Sequence, residues 1–119
     1  MPPVPVIDPE AIESLRALSP DDGDVFLKEI LTIFLEDTPV RISELRSSLT
    51  NGKTDLFVRS AHSIKGSASN VGAAELRAIA ELIEHHGRQA GSVGTESMIT
   101  ELEAAFARAR EALQKFLTA

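Results

Sequence analysis

The sequence predicts an all-α chain: an antiparallel, up-down four-helix bundle with a short additional N-terminal helix. Three observations predict it. Apolar residues recur at steps of three and four through every long segment. No segment alternates apolar and polar residues as a half-buried strand does. The breaks between apolar stripes are a few residues long and hold Gly, Asn, Asp, Ser or Pro, which suits antiparallel neighbours.

Each element follows in order. Residues 1–8 carry Pro2, Pro3 and Pro5 and are expected as an extended arm or linker; residues 9–119 form the single helical domain. Asp8-Pro9-Glu10 starts the short helix, with Asp as N-cap, Pro at the first helical position and Glu at the positive end of the dipole. That helix runs to about Leu18, with Ile12 and Leu15 on one face. Ser19 to Asp24 is a turn. The longest stripe is Leu27, Leu31, Phe34, Thr38, Ile42, Leu45 and Leu49, and Asn51-Gly52 caps it. Pro39 lies inside this stripe. The stripe keeps its phase across the proline, so one kinked helix is expected rather than two. Lys53-Thr54-Asp55 opens the next helix, with Phe57, Ala61, Ile64, Ala68 and Val71 inward and Gly72 as its stop. Leu76, Ile79 or Ala80, and Ile83 mark a further helix expected to end by Gly87 or Gly91. After Ser92 to Thr95, the last helix places Ile99, Leu102, Phe106, Ala109, Leu113 and Phe116 on its core side.

Composition narrows the functional classes. A chain of 119 residues makes one domain, long enough to close an aliphatic core. A net charge of -6 argues against nucleic acid as a partner, because phosphate neutralisation needs clustered Lys and Arg. Without cysteine there is no disulfide framework, thiolate metal site or cysteine nucleophile. No apolar run approaches the roughly 20 residues of a membrane span, and the start lacks the pattern of a secretory signal. A cytoplasmic monomer is the expectation.

Three histidines are the residues that titrate near neutrality. His85 and His86 are adjacent, point about 100° apart on a helix, and cannot grip one metal as an i, i+4 pair does. They are expected to be solvated residues near a helix C-terminus. An i, i+4 pairing of Glu81 with His85 would make a poor metal site. Asp21, Asp22 and Asp24 lack the spacing of a calcium loop and read as turn and cap residues. Glu101, Glu103, Arg108, Arg110 and Glu111 read as a solvated, ion-paired face.

His62 is different. It lies mid-helix on the flank of the buried stripe, and Val58, Lys65 and Ser69 share its face. Gly66 stands one turn after it, where glycine costs about 0.5–1 kcal/mol relative to alanine. Ser67, Ala68 and Ser69 keep that surface bare, so another protein can approach the imidazole closely. Lys65 places an ammonium three residues away. These parts suit a phosphoryl group on the imidazole, with Lys65 offsetting its charge and Ser69 as a hydrogen-bond donor. A helical adaptor without chemistry needs neither Gly66 nor Lys65 at this spacing. A metal-binding bundle needs Glu-x-x-His motifs that no helix has.

Residues 62–72, His-Ser-Ile-Lys-Gly-Ser-Ala-Ser-Asn-Val-Gly, resemble the signature of histidine-containing phosphotransfer (HPt) domains. The resemblance extends upstream over Phe26-Leu27 through Leu49, including the Phe-Leu-x-x-x-Pro turn at Phe34 to Pro39, and downstream through Leu76 and the last helix. One departure is Ala68, where many members have a second Ser. The resemblance implies a phosphorelay intermediate: His62 accepts a phosphoryl group from one receiver-domain aspartate and passes it to another. It implies Lys65 as counter-charge and Val58, His62, Lys65, Gly66 and Ser69 as the docking surface; helical phase alone offers Leu35 as the alternative to Val58 for its apolar flank. It implies a phosphocarrier with no autokinase activity, ATP site or bound cofactor. The required Mg²⁺ would sit in the acidic pocket of the partner, a receiver domain of a response regulator or of a hybrid sensor kinase.

Overall fold

A computed structural model describes residues 4–118. Five helices follow one another: α1 (Pro9–Ala17), α2 (Val25–Thr50), α3 (Thr54–Val71), α4 (Ala74–Ala90) and α5 (Glu96–Thr118). The described residues contain no strand. α2 packs on α3 and α5, and α4 packs on the same two, so the four long helices close a ring. α1 lies across α2 and α3. The arm expected over residues 1–8 has its first three residues outside the described part.

Local chemistry sets the helix ends. Asp8 Oδ1 accepts the Glu10 backbone N–H at 3.0 Å, with Pro9 at the first helical position. Before α2, Asp24 adopts a left-handed backbone (φ 68) and makes no side-chain cap. Asp22 Oδ2 instead accepts the Phe26 N–H at 3.0 Å, while the Asp24 carboxylate receives Arg16 Nε at 3.1 Å and ties the turn to α1. The three aspartates are turn and cap residues.

α2 runs through Pro39 without a break. The missing hydrogen bond and ring clash cost about 3 kcal/mol. Leu27, Leu31 and Phe34 on one side of the proline and Ile42 and Leu45 on the other are all buried. Each burial contributes about 1.5–3 kcal/mol, so the continuous stripe prevails. At the end of α2, Ser48 rather than Leu49 is fully buried. The chain folds back there: the Ser48 carbonyl accepts the Lys53 N–H at 2.9 Å, and its hydroxyl donates to the Leu45 carbonyl at 2.7 Å. Phe34 of α2 and Phe106 of α5 pack at 5.9 Å between ring centroids, and with the fully buried Phe57 they are the aromatic residues of a mainly aliphatic core.

Two glycines stand where elements approach closely. Gly87 does not end α4; it is buried within it, and an added Cβ would stand 2.9 Å from the Phe57 ring and 3.0 Å from Val58. It therefore lets α3 and α4 approach closely, and Gly91 ends the helix. Gly72 caps α3 in the left-handed region (φ 73), and a Cβ there would stand 2.5 Å from Ala11 Cβ and 3.0 Å from the Asp8 carbonyl. The chain before α1 docks at this same turn. The Asp8 N–H donates to the Gly72 carbonyl at 2.7 Å, and the Pro5 carbonyl accepts the Glu75 N–H at 3.0 Å. Val6 and Ile7 pack against the core.

Candidate functional site

α3 buries Ala61 and Ile64 and so turns His62, which lies between them, outward. The His62 side chain is 61% exposed. Its Nδ1 lies 2.9 Å from Oε2 of Glu84, a residue of α4 whose side chain is only 6% exposed. Lys65 Nζ reaches the other oxygen, Oε1, at 2.7 Å. Arg88, one turn along α4, donates to Oε2 at 2.7 Å. A single buried carboxylate thus gathers the imidazole and two cations from the seam between two helices.

The electrostatics follow from that arrangement. Burial by itself raises the Glu84 pKa and is the largest single effect. Hydrogen bonds from Lys65, Arg88 and His62 together outweigh it and lower the carboxyl to about 2. Glu84 is therefore ionised at neutral pH and can only accept. The His62 nitrogen facing it must carry the proton, which assigns the neutral ring its Nδ1–H tautomer. The lone pair is left on Nε2, the other nitrogen of an exposed ring. With His62 neutral, the four side chains carry one net positive charge.

Other residues singled out in the sequence fall as follows. Lys65 is three-quarters buried against Glu84, and its ammonium shares that carboxylate with His62. Gly66 is exposed, and no atom lies within 4 Å of an added Cβ, so nothing inside the protein requires glycine there. Ser69 is exposed on the following turn. Val58 is half-buried in a shallow hollow with Asp55, Arg59, Gly87 and Arg88. Leu35 is half-buried against the core. Ala68 is fully buried, so a hydroxyl at that position would face the core rather than a partner.

Glu84 is absent from the sequence reading, and it organises the site. Its signal was an acidic residue on the apolar stripe Leu76, Ala80, Ile83, Glu84, Gly87, followed by Arg88 at i+4. The pairing considered there, Glu81 with His85, does not form: Glu81 faces Arg77 at 3.6 Å and His85 is exposed. His86 Nε2 lies 3.3 Å from the Val93 carbonyl. Among the described residues, no group of three His, Asp or Glu side chains could hold a metal ion.

The family model described as Hpt domain matches residues 29–112, most of the helical bundle. This chain belongs to the Hpt domain family. As an Hpt domain it is a phosphocarrier, an intermediate that takes a phosphoryl group on histidine from one receiver-domain aspartate and gives it to another. The structure of histidine-containing phosphotransfer protein B (HptB) from Pseudomonas aeruginosa PAO1 superposes with a TM-score of 0.84 at 26% identity, over 95% of both chains. The maize phosphotransfer protein ZmHP2 gives 0.83 at 25% identity, over 95% of this chain and 83% of its own. A rice phosphotransfer protein at 23% identity shares the fold, with a TM-score of 0.82 over 95% of this chain and 82% of its own. Among curated proteins none matches the sequence. No helix of this Hpt domain, among the described residues, is long and apolar enough to cross a membrane.

Proposed function

We propose that His62 is the phosphoryl carrier of this Hpt domain and that its Nε2 is the atom that forms the bond to phosphorus. The observation that carries this reading is the 2.9 Å approach of His62 Nδ1 to Glu84 Oε2 on an otherwise open ring. In acceptance, the Nε2 lone pair attacks the phosphorus of a receiver's aspartyl phosphate. The P–O bond breaks and its electron pair leaves on the aspartate carboxylate. Nδ1 keeps its proton throughout, so the ring gains a positive charge beside the ionised Glu84. In donation the N–P bond breaks, its electron pair returns to Nε2, and the phosphoryl group passes to the next aspartate. Neither direction needs a proton to move, and the remaining contribution is positioning and charge.

Lys65 and Arg88 surround the site with positive charge as the dianionic group arrives. Val58, Gly66 and Ser69 complete the docking surface, with Gly66 supplying clearance. The chain acts without autokinase activity or an ATP site and binds no cofactor of its own; the Mg²⁺ for transfer belongs to the acidic pocket of the receiver. Its partners are receiver domains of response regulators and of hybrid sensor kinases, which it meets in the cytoplasm as a monomer.

The test is incubation with a phosphorylated receiver domain, followed by mapping of an acid-labile, base-stable phosphoryl group. His62→Gln should abolish acceptance and leave the helical circular dichroism unchanged. Acceptance retained in that variant would move the site to His85 or His86 and refute the assignment.

A further inference from the structure

We propose that Arg59 and a small hollow beside it, on the seam of α2 and α3 one turn before His62, anchor a carboxylate side chain of the docked receiver domain. The inference rests on the phosphocarrier reading above and adds to it a recognition site separate from the Glu84 cluster.

Charge pairing singles out Arg59. Four cations belong to the Glu84 cluster or to the hollow beside Ser63: Lys65 and Arg88 to the first, Arg41 and Arg59 to the second. Lys65 and Arg88 are held by Glu84 at 2.7 Å each. Arg41 is held by Glu44 at 2.9 Å and Asp37 at 3.4 Å. Arg59 is exposed and has no ion-pair partner among the described residues. It precedes His62 by three positions, so both side chains share one helix face.

The hollow supplies the second, independent observation. Arg41, Glu44, Leu56, Arg59, Ser60 and Ser63 line it. Its volume is about 150 Å³. Ligand pockets commonly enclose roughly 300–1,000 Å³, so this one suits the tip of a side chain rather than a free small molecule. Ser60 is 3% exposed, and its hydroxyl has no hydrogen-bond partner among the described residues. Buried hydroxyls are normally satisfied, so an orphaned one lining a hollow calls for an acceptor from outside. Arg59 calls for an anion. A carboxylate meets both demands, and Glu44 beside it is engaged by Arg41 at 2.9 Å.

The occupant follows from charge. This chain is acidic overall, at -6. A receiver's phosphorylation pocket is acidic too, because it holds Mg²⁺. Two like-charged bodies approach productively only where local charges are complementary. Arg59 is the open positive group within one turn of His62, placed to meet a carboxylate on the rim of that pocket.

The experiment compares two phosphoryl donors on the full chain: phosphoramidate, and an isolated receiver domain phosphorylated with acetyl phosphate. Wild type, Arg59→Glu, Arg59→Lys and Ser60→Ala should all be phosphorylated by phosphoramidate at equal rates. With the receiver, Arg59→Glu should lower kcat/KM about tenfold through KM and flatten its dependence on salt. Arg59→Lys should retain most of the wild-type value, and Ser60→Ala should raise KM without changing kcat. Receiver transfer by Arg59→Glu at the wild-type kcat/KM and salt dependence would overturn the anchor alone. A wild-type chain phosphorylated by neither donor would overturn the phosphocarrier reading, and the anchor with it.

Discussion

His62 Nδ1 and Glu84 Oε2 stand 2.9 Å apart across the α3–α4 seam, with the carboxylate buried and the imidazole open to solvent. That asymmetry separates the two ring nitrogens: one faces the buried carboxylate, the other belongs to the open side of the ring. Lys65 and Arg88 make it sustainable, since a buried carboxylate without cations would take up a proton.

Replacing Glu84 with Gln tests the charge while keeping the shape. An amide oxygen can still accept from Nδ1, but it cannot offset a ring that becomes positive on phosphorylation. Hydrogen bonds to charged groups contribute about 1.5–3 kcal/mol, so phosphoryl transfer from a receiver should slow about ten- to a hundredfold. Stopped-flow transfer kinetics measure this, and an unchanged rate would reduce Glu84 to a packing role.

Acid stability follows from the same carboxylate. Its pKa is depressed from 4.5 in the unfolded chain to about 2 in the folded one. The unfolded state therefore binds a proton that the folded state refuses between those values. The stability from this group is fully present above about 4.5 and is lost as pH falls through about 2. Lys65→Ala removes a principal hydrogen bond that holds the pKa down, so its acid unfolding should begin at higher pH. If His62 carries the phosphoryl group as proposed, the same variant should slow transfer about tenfold at neutral pH, because it removes a cation from the Glu84 cluster. Urea titrations over a pH series, together with transfer rates, check both halves.

Gly66→Gln separates folding from docking. The site of the added Cβ is open space, and helix propensity favours the change by about 0.5–1 kcal/mol. The melting temperature should hold or rise, phosphoramidate should still phosphorylate His62, and receiver docking should fail. Normal transfer from a receiver would show that clearance at position 66 is not needed.

Gly72→Ala has the opposite profile. The residue is left-handed, and the new methyl would collide with Ala11 and the Asp8 carbonyl. Backbone strain plus overpacking should cost about 2–4 kcal/mol of unfolding free energy, measured by urea denaturation. It should also loosen the chain before α1 from the α3–α4 turn. Wild-type stability would mean that this docking contributes little.

The local pattern of the chain determined the helices, because amphipathic stripes and capping residues act over one or two turns. Leu31, Ile64, Ile83 and Leu102 are buried where the steps of three and four placed them, and Asp8 and Gly72 end helices as their chemistry dictates. The segment from His62 to Gly66 stands out in the sequence for the same reason: its unusual residues lie within about one helical turn. The partner of His62 was not. Glu84 is 22 positions away on another helix, and only the packing of α4 against α3 decides which of its acidic residues faces the imidazole. Of Gly87 and Gly91, the two glycines expected near the end of α4, Gly91 ends the helix and Gly87 is an interhelical contact, because the Phe57 ring fills the space above it. The chain before α1, read as an arm, joins the α3–α4 turn through hydrogen bonds that no local pattern encodes. Helix formation is a near-neighbour property; the choice of which charged groups share a buried site is set by the register of packed helices, and that exists only in the tertiary structure.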